Sequence, residues 1–208
     1  YRSSRGLGDV YKRQLPTPSL IGPHQIQNAA LAAASVIYSN NFTPIDDRLF
    51  SGIEFAKWPG RVQFIDKGKL LNYRDARPIW IDGAHNSHSA TALAATLAKI
   101  TGEKWTLIAG MLETRKPDDI FVPLKNLISE IFTITIPDQV ASLSAQELSE
   151  NCQGLGIKAT AKSSLIEALS ATSKSEFVVI CGSLYLAGHA LLLNNTCLLY
   201  TSDAADEH

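Results

Sequence analysis

From Pro78 onward the sequence alternates short apolar runs with longer amphipathic patterns, and this alternation constrains the fold most strongly. Ala90, Leu93, Leu97 and Ile100 recur at spacings of three and four, which is typical of one helix face. Short buried strands that alternate with helices predict a doubly wound, mainly parallel, Rossmann-like α/β sheet. The predicted strands are residues 79–81, 105–109, 131–136, 157–160 and 177–181.

Four further helices are predicted in the same region. Ser144 and Ser164 are each followed three positions later by a glutamate, the capping-box pattern in which both side chains satisfy free backbone amides at a helix start. Residues 118–128 and about 185–193 complete the set.

The part before Pro78 has a different pattern. Residues 21–39 predict an Ala-rich helix entered through a Gly-Pro turn, and residues 46–56 predict a second helix. Pro59 and Gly60 then interrupt the pattern, so we expect a domain boundary at Trp58 to Arg61. Residues 62–65 and 70–73 flank a polar turn and predict a β-hairpin.

The two ends of the chain resemble translations of a sequencing adapter read in opposite directions. They are SRGLGDVYKRQ at residues 4–14 and CLLYTSDAADE at residues 197–207. We therefore expect residues 1–14 and 197–208 to be non-native flanks, and the natural protein to continue upstream.

The charge balance and the cysteines exclude several classes of protein. Nineteen Lys and Arg against twenty Asp and Glu do not provide the basic surplus of a nucleic-acid-binding protein. The apolar runs are too short to cross a bilayer. Three cysteines with no CxxC pair favour neither a disulfide scaffold nor a zinc site. We expect a cytoplasmic protein without nucleic-acid or membrane partners, and no metal ligands within this chain.

Polar residues follow the first predicted parallel strand, where ligands bind in sheets of this class. Asp82 there can accept hydrogen bonds from a ribose diol, and His85 can meet a phosphate or a reacting carboxylate. The alternative is that Asp82 and Asn86 only cap the next helix.

Other candidate residues have equally plain alternatives. Asn28 matches the hydrogen-bonding edge of adenine, or is a solvated residue of a first helical turn. Arg61 can fork two phosphate oxygens, or is an ordinary surface residue. Ser183, in a Gly-Ser turn, can bind an anion, or is a helix N-cap. Arg115 and Lys116 can hold a carboxylate or phosphate, or belong to a solvated loop.

The sequence contains neither of two common nucleotide-binding motifs, and its two internal thiols are not candidates for the site. Gly68-Lys69 lacks the other residues of a phosphate-binding loop, and no GxGxxG follows a strand. Cys181 is expected in the core and Cys152 in a helix, and neither has a partner for nucleophilic chemistry.

Four motifs in order, HQIQNAALA, WPGRVQ, DGAHN and GSLYLAGHAL, resemble the C-terminal part of the bacterial folylpolyglutamate synthase/dihydrofolate synthase family, within the Mur ligase superfamily. The resemblance covers residues 15–193. It implies that residues 15–58 end the central ATP-binding domain and that residues 59–196 form the C-terminal α/β domain.

The resemblance also implies a reaction and its site. ATP phosphorylates a carboxylate of dihydropteroate or folylpolyglutamate, and the amine of L-glutamate displaces phosphate from the acyl phosphate. Asn28 would contact adenine, Arg61 the phosphates and Asp82 the ribose, while His85 would be the catalytic residue near the reacting groups. Ser183 and Lys116 would hold the glutamate.

Mg²⁺ is implied as well, with its ligands mainly in the upstream half, together with a monomeric protein whose C-terminal part is inactive alone. The alternatives are a Mur-type ligase that adds an amino acid to a UDP-muramoyl precursor, and a non-catalytic α/β binding module.

Overall fold

The computed structural model describes residues 14–39, 47–172 and 175–195. These residues form two compact units, one of residues 14–19, 24–39 and 47–57 and the other of residues 20–23, 58–172 and 175–195. Apart from Gln14, the predicted non-native flanks lie outside the described residues. The assignment of residues 15–58 and 59–196 to two domains of a ligase stays a prediction.

In the first unit, helix α1 (Pro23–Tyr38) forms where the sequence predicts a helix. The fixed φ angle of proline suits a first helical position, which places the start at Pro23. The second predicted helix is only partly correct, because Asp47–Ser51 forms a 3₁₀ helix before the short α2 (Gly52–Phe55). The Ser51 hydroxyl donates to the Arg48 carbonyl at 2.7 Å, a local bond that competes with α-helical pairing. Asp46 lies outside the described residues.

The second unit contains a six-stranded sheet in the order β1-β2-β6-β3-β4-β5. Only the β1–β2 pair is antiparallel, and every other neighbouring pair is parallel. The predicted fold class is therefore confirmed. The strands are β1 (Gln63–Ile65), β2 (Ile79–Ile81), β3 (Trp105–Ala109), β4 (Ile128–Thr133), β5 (Ala159–Ala161) and β6 (Val178–Cys181).

Helices cover both faces of this sheet. Successive strand residues point to opposite faces, so the apolar side chains of each strand need cover on both sides. Leu107 of β3 packs into one apolar cluster and its neighbour Ile108 into the other. The first cluster contains residues of α3 (Ser87–Ile100), α4 (Pro117–Leu124) and α5 (Ala145–Gly154), and the second contains residues of α6 (Leu165–Ala171) and α7 (Leu184–Leu193).

Some predicted boundaries are wrong by a few residues. Helix α4 ends at Leu124 and a 3₁₀ turn, Lys125–Leu127, follows it, so the helix is shorter than the predicted 118–128. Pro123 lies near this end, and proline lacks the amide that would extend helical pairing. Strand β4 begins at Ile128, three residues before its predicted start.

The two predicted capping boxes have different outcomes. At α5, Ser144 and Glu147 exchange both predicted bonds, so this box is confirmed. At α6, the Ser164 hydroxyl accepts from the Glu167 amide, but the Glu167 carboxylate accepts from the amide and hydroxyl of Ser163 instead. The second box is therefore only half formed, and the carboxylate satisfies the residue before the N-cap.

The predicted hairpin is wrong. Lys69–Tyr73 forms a 3₁₀ helix, and β1 pairs with β2 instead. Leu70 and Leu71 are both buried. In a strand with one face in solvent, two consecutive side chains would point to opposite faces and one of them would be exposed. The Asn194 side chain, at the end of α7, holds this turn by accepting from the Leu70 amide at 3.1 Å and donating to the Lys67 carbonyl at 2.9 Å.

A fully buried guanidinium joins two strands at the edge opposite to their carboxyl ends. Arg74 donates to the carbonyls of Pro78, just before β2, and of Ser175, shortly before β6. Burial and then the neighbouring Arg77 charge lower the pKa of Arg74 to about 10. Arg74 therefore satisfies carbonyls that two adjacent strand ends would otherwise leave unpaired.

Replacement of Arg74 by methionine should destabilise the fold. Arg74→Met removes the donors for buried carbonyls, and we expect a loss of about 2 kcal/mol in the free energy of unfolding. Chemical denaturation followed by circular dichroism measures it. The exposed Arg77 provides the matched control, and Arg77→Met should change stability by less than about 0.5 kcal/mol. Equal stability of the two variants would contradict the role of Arg74.

Candidate functional site

The polar loops of the second unit gather at the carboxyl ends of three adjacent parallel strands. Residues 82–86 follow β2, residues 182–183 follow β6 and residues 110–116 follow β3. Residues 60–62 precede β1, whose first residue Gln63 pairs with Ile81 at the end of β2. We call these four segments the edge loops. Helices α3 and α7 leave this edge toward opposite faces, the arrangement that opens a ligand crevice in doubly wound sheets.

The Asp82 carboxylate connects two edge loops. It is only 5% exposed, and its two oxygens accept from the amides of Val62 at 2.9 Å and Ala84 at 2.8 Å. Backbone donors to a buried carboxylate stabilise its charged form. Asp82 is therefore not the cap of α3, and its carboxylate fixes residues 60–62 against residues 82–86.

Glycines allow the edge loops to touch through their backbones. The Gly83 amide donates to the Gly60 carbonyl at 2.7 Å, and the Gly182 amide donates to the Ala84 carbonyl at 3.0 Å. Gly182 has φ +110°, and a Cβ there would lie 2.8 Å from the Gly110 carbonyl oxygen. Glycine is required at this position for both reasons.

The alternative reading of Asn86 as a helix cap is confirmed. Its side chain accepts from the Ser89 amide at 2.9 Å, and the Ser89 hydroxyl accepts from the Asn86 amide at 3.1 Å, a reciprocal capping box at the start of α3. The Ser89 hydroxyl also accepts from the His85 amide at 3.0 Å. The cap therefore fixes the backbone of His85.

The ring of His85 has a defined tautomer. Its Nδ1 lies 2.8 Å from the Gly83 carbonyl oxygen, and a carbonyl only accepts, so Nδ1 carries the hydrogen. In the neutral ring Nε2 then has a free lone pair. The side chain is half-buried, and Nε2 has no hydrogen-bond partner among residues 14–39, 47–172 and 175–195. Nε2 can thus accept a proton or a hydrogen bond from a ligand at this edge.

Ser183 and Lys116 begin the two helices that follow β6 and β3. Ser183 is 3% exposed and is the N-cap of α7, its hydroxyl accepting from the Tyr185 amide at 3.1 Å. Lys116 precedes Pro117, the first residue of α4, and its side chain is exposed. Ser183 is therefore a helix N-cap and Lys116 belongs to a solvated loop, the two alternatives to glutamate binding. Their contact with glutamate stays a prediction.

Arg61 lies between two backbone positions with positive φ, Gly60 at +69° and Val62 at +44°. For a β-branched residue such as Val62 this conformation costs about 1–3 kcal/mol and persists only where surrounding contacts impose it. The Arg61 guanidinium has no hydrogen bond or ion pair with any residue that the structure describes. The loop thus presents a cation that is available to an anionic ligand.

Asn28 belongs to the other unit. It is exposed on α1, where its amide donates to the Gln25 side chain at 3.0 Å. Its predicted place beside Arg61 and Asp82 stays a prediction.

Two side chains that shape the site were not among the predicted site residues. Gln63 accepts from the Gly60 amide at 3.0 Å, and Ser89 supports His85 as described above. Ser89 could have been found from its position three residues after the N-cap Asn86. It was missed because the capping-box pattern expects Glu or Gln at that position. Nothing local identifies Gln63, because its bond depends on the loop conformation.

Cys181 is a core residue and Cys152 lies in α5, as predicted, and the structure buries Cys152 as well. Burial raises the pKa of Cys152 to about 12, and burial followed by the charge of Asp82 raises that of Cys181. Within the described ranges, no group of three or more His, Cys, Asp and Glu side chains could hold a metal ion. None of the helices in those ranges is long and apolar enough to span a bilayer.

A doubly wound sheet with polar loops at the carboxyl ends of neighbouring strands defines the class of α/β domains that bind ligands at that edge. The family described as dihydrofolate synthetase, C-terminal domain, matches residues 69–193. The chain belongs to this family, which confirms the resemblance read from its motifs.

Known relatives agree with this assignment. The dihydrofolate synthase/folylpolyglutamate synthase of Bacillus subtilis (strain 168) is 32% identical over 120 residues, 56% of this chain and 24% of that protein. The folylpolyglutamate synthase of Mycobacterium tuberculosis, solved with ADP and AMPPCP, has a TM-score of 0.72 and 25% identity, covering 85% of this chain and 41% of that one.

A bifunctional folylpolyglutamate synthase/dihydrofolate synthase, solved with Mn, AMPPNP and L-glutamate, has a TM-score of 0.70 and 26% identity, covering 88% of this chain and 42% of that one. The chain therefore spans less than half the length of each of these three relatives.

Substitution of Gly182 tests how tightly the edge loops meet. Gly182→Ala should lower the free energy of unfolding by about 1–3 kcal/mol, because φ +110° is strained for alanine and the new methyl meets the Gly110 carbonyl. Gly188, within α7, has nothing within 4 Å of an added Cβ. Gly188→Ala should therefore be neutral or stabilising by up to about 1 kcal/mol. Thermal denaturation compares them, and similar losses for both would contradict the packing at Gly182.

Proposed function

We propose that this chain is the C-terminal part of an ATP-dependent ligase that adds L-glutamate to dihydropteroate, to folylpolyglutamate, or to both. Membership of the dihydrofolate synthetase C-terminal domain family supports this. The structural observation that carries the proposal is the Asp82 carboxylate, which joins the loop presenting Arg61 to the loop presenting His85. These loops bring a cation and a lone-pair acceptor to the edge where such sheets bind ligands.

In this proposal the nucleotide lies against three residues. Arg61 binds the phosphates, since its guanidinium has no partner among the described residues and can fork two phosphate oxygens. Asp82 accepts from the ribose hydroxyls, because its carboxylate lies where the loop that presents Arg61 meets the loop after β2. Asn28 contacts adenine. Mg²⁺ is proposed to bind mainly to residues upstream of this chain, so no step here depends on it.

ATP phosphorylates the carboxylate of the folate substrate and leaves as ADP, and the amine of L-glutamate then attacks the acyl phosphate, forming an amide and releasing phosphate and a proton. His85 Nε2, held by the Nδ1 bond to Gly83, faces the reacting groups and can accept a proton there. Ser183 can still donate its hydroxyl hydrogen to a carboxylate, and Lys116 adds positive charge for the same ligand. Such a reaction depends on positioning and neutralised charge more than on covalent work by side chains.

The proposal includes the setting of the enzyme. Residues 15–58 end its central ATP-binding domain, residues 59–196 form its C-terminal domain, and the whole protein acts as a monomer in the cytoplasm. This chain alone lacks a phosphate-binding loop and should not turn over.

A coupled phosphate-release assay tests the reaction. With ATP and L-glutamate, the full-length protein that carries this chain should release phosphate when dihydropteroate or folylpolyglutamate is added, and this 208-residue chain should not. The control substrate is a UDP-muramoyl peptide with its amino acid. Release only with that substrate would replace the proposal by a Mur-type ligase, and release with neither acceptor would favour a non-catalytic module.

The ribose role of Asp82 has its own test. Asp82→Ala in the full-length enzyme should raise the apparent KM for ATP about tenfold or more, because a charged hydrogen-bond acceptor is lost. Steady-state kinetics with varied ATP measures this change. Asp66→Ala makes the same chemical change at an exposed position beyond the other end of β1 and should leave the KM for ATP unchanged. A wild-type KM for ATP in Asp82→Ala would reject the ribose contact.

A further inference from the structure

The backbone around Arg61 is fixed by side chains and amides of other residues. The Gly60 carbonyl accepts from the Gly83 amide, and the Val62 amide donates to Asp82. The third bond comes from Gln63, whose Oε1 accepts from the Gly60 amide at 3.0 Å. The residues on both sides of Arg61 are thus held, while the guanidinium itself has no partner among the described residues.

Gln63 is well placed to hold this loop because its own backbone is part of the sheet. It is the first residue of β1 and pairs in register with Ile81, next to Asp82. Its side chain reaches back three residues to Gly60, so the turn that contains Arg61 is closed onto a rigid strand. The positive φ angles of Gly60 and Val62 are maintained by surrounding contacts, and the bond from Gln63 is one of these contacts.

We propose that Gln63 is a positioning residue that orients Arg61 toward the phosphate groups of the nucleotide. The proposal rests on the proposed ligase function, because it assigns Arg61 to a phosphate ligand. Gln63 itself does not touch the ligand and acts through the conformation of residues 60–62.

A double-mutant cycle in the full-length enzyme tests whether Gln63 acts through Arg61. Gln63→Met keeps the length of the side chain and removes the acceptor oxygen, so kcat/KM for ATP should fall about five- to tenfold. In an Arg61→Ala background the same change should cost less than about twofold, because the group that it positions is gone. Gln63→Glu retains an oxygen acceptor and should recover most of the loss.

The control for this cycle is Gln146→Met, the same chemical change at an exposed residue of α5, which should leave kcat/KM at the wild-type value. Equal losses for Gln63→Met in both backgrounds would overturn the proposal, since a structural role does not depend on Arg61. No loss in the wild-type background would overturn it as well.

Hydrogen exchange separates this proposal from the ligase function. In this chain, the Gly60 amide should exchange more than about tenfold faster in Gln63→Met than in the wild type, as measured by NMR, while Gln63→Glu stays protected. Unchanged exchange would overturn the proposal whether or not the full-length protein is a ligase. Faster exchange in Gln63→Met together with an inactive wild-type enzyme would show that the Gln63–Gly60 bond exists but that Arg61 binds no nucleotide phosphate. The proposal would then be rejected because the ligase function on which it rests had failed.

Discussion

The buried Asp82 carboxylate is the interaction on which the candidate site depends. Its two oxygens accept from Val62 and Ala84, and this joins the end of β2 to the loop before β1. An unpaired carboxylate at this depth would carry a large desolvation cost, so both loops must keep their amides directed at it. Together with the bond from the Gly83 amide to the Gly60 carbonyl, this group holds the loops of Arg61 and His85 at one edge of the sheet.

The site is otherwise built from backbone. Gly83 donates to Gly60 and Gly182 donates to Ala84, so loops from different parts of the chain meet without intervening side chains. Close approach of this kind requires glycine, because the space for a Cβ at Gly182 is already filled by the Gly110 carbonyl. The polar side chains of the site, such as Arg61 and His85, therefore extend from loops whose backbones are closely packed.

The strands and most of the helices could be predicted from local patterns. Predominantly apolar runs such as Ile79–Ile81 and Trp105–Ala109 are buried on both faces, as is typical of strands in a parallel sheet covered by helices. The wrong hairpin prediction arose where a tertiary contact overrides a local pattern. Leu70 and Leu71 follow a turn and resemble a strand, yet the Asn194 side chain holds them in a 3₁₀ helix.

The sequence by itself determined the class of fold, the family and the segments that carry polar residues, because hydrophobic periodicity and short motifs are local properties of the chain. Only the tertiary structure decided that Asp82 binds backbone amides, that Asn86 is the cap, and that Gln63 closes the turn around Arg61. Those outcomes depend on which amides and carbonyls the folded backbone leaves unpaired, and residues distant in sequence supply or satisfy them.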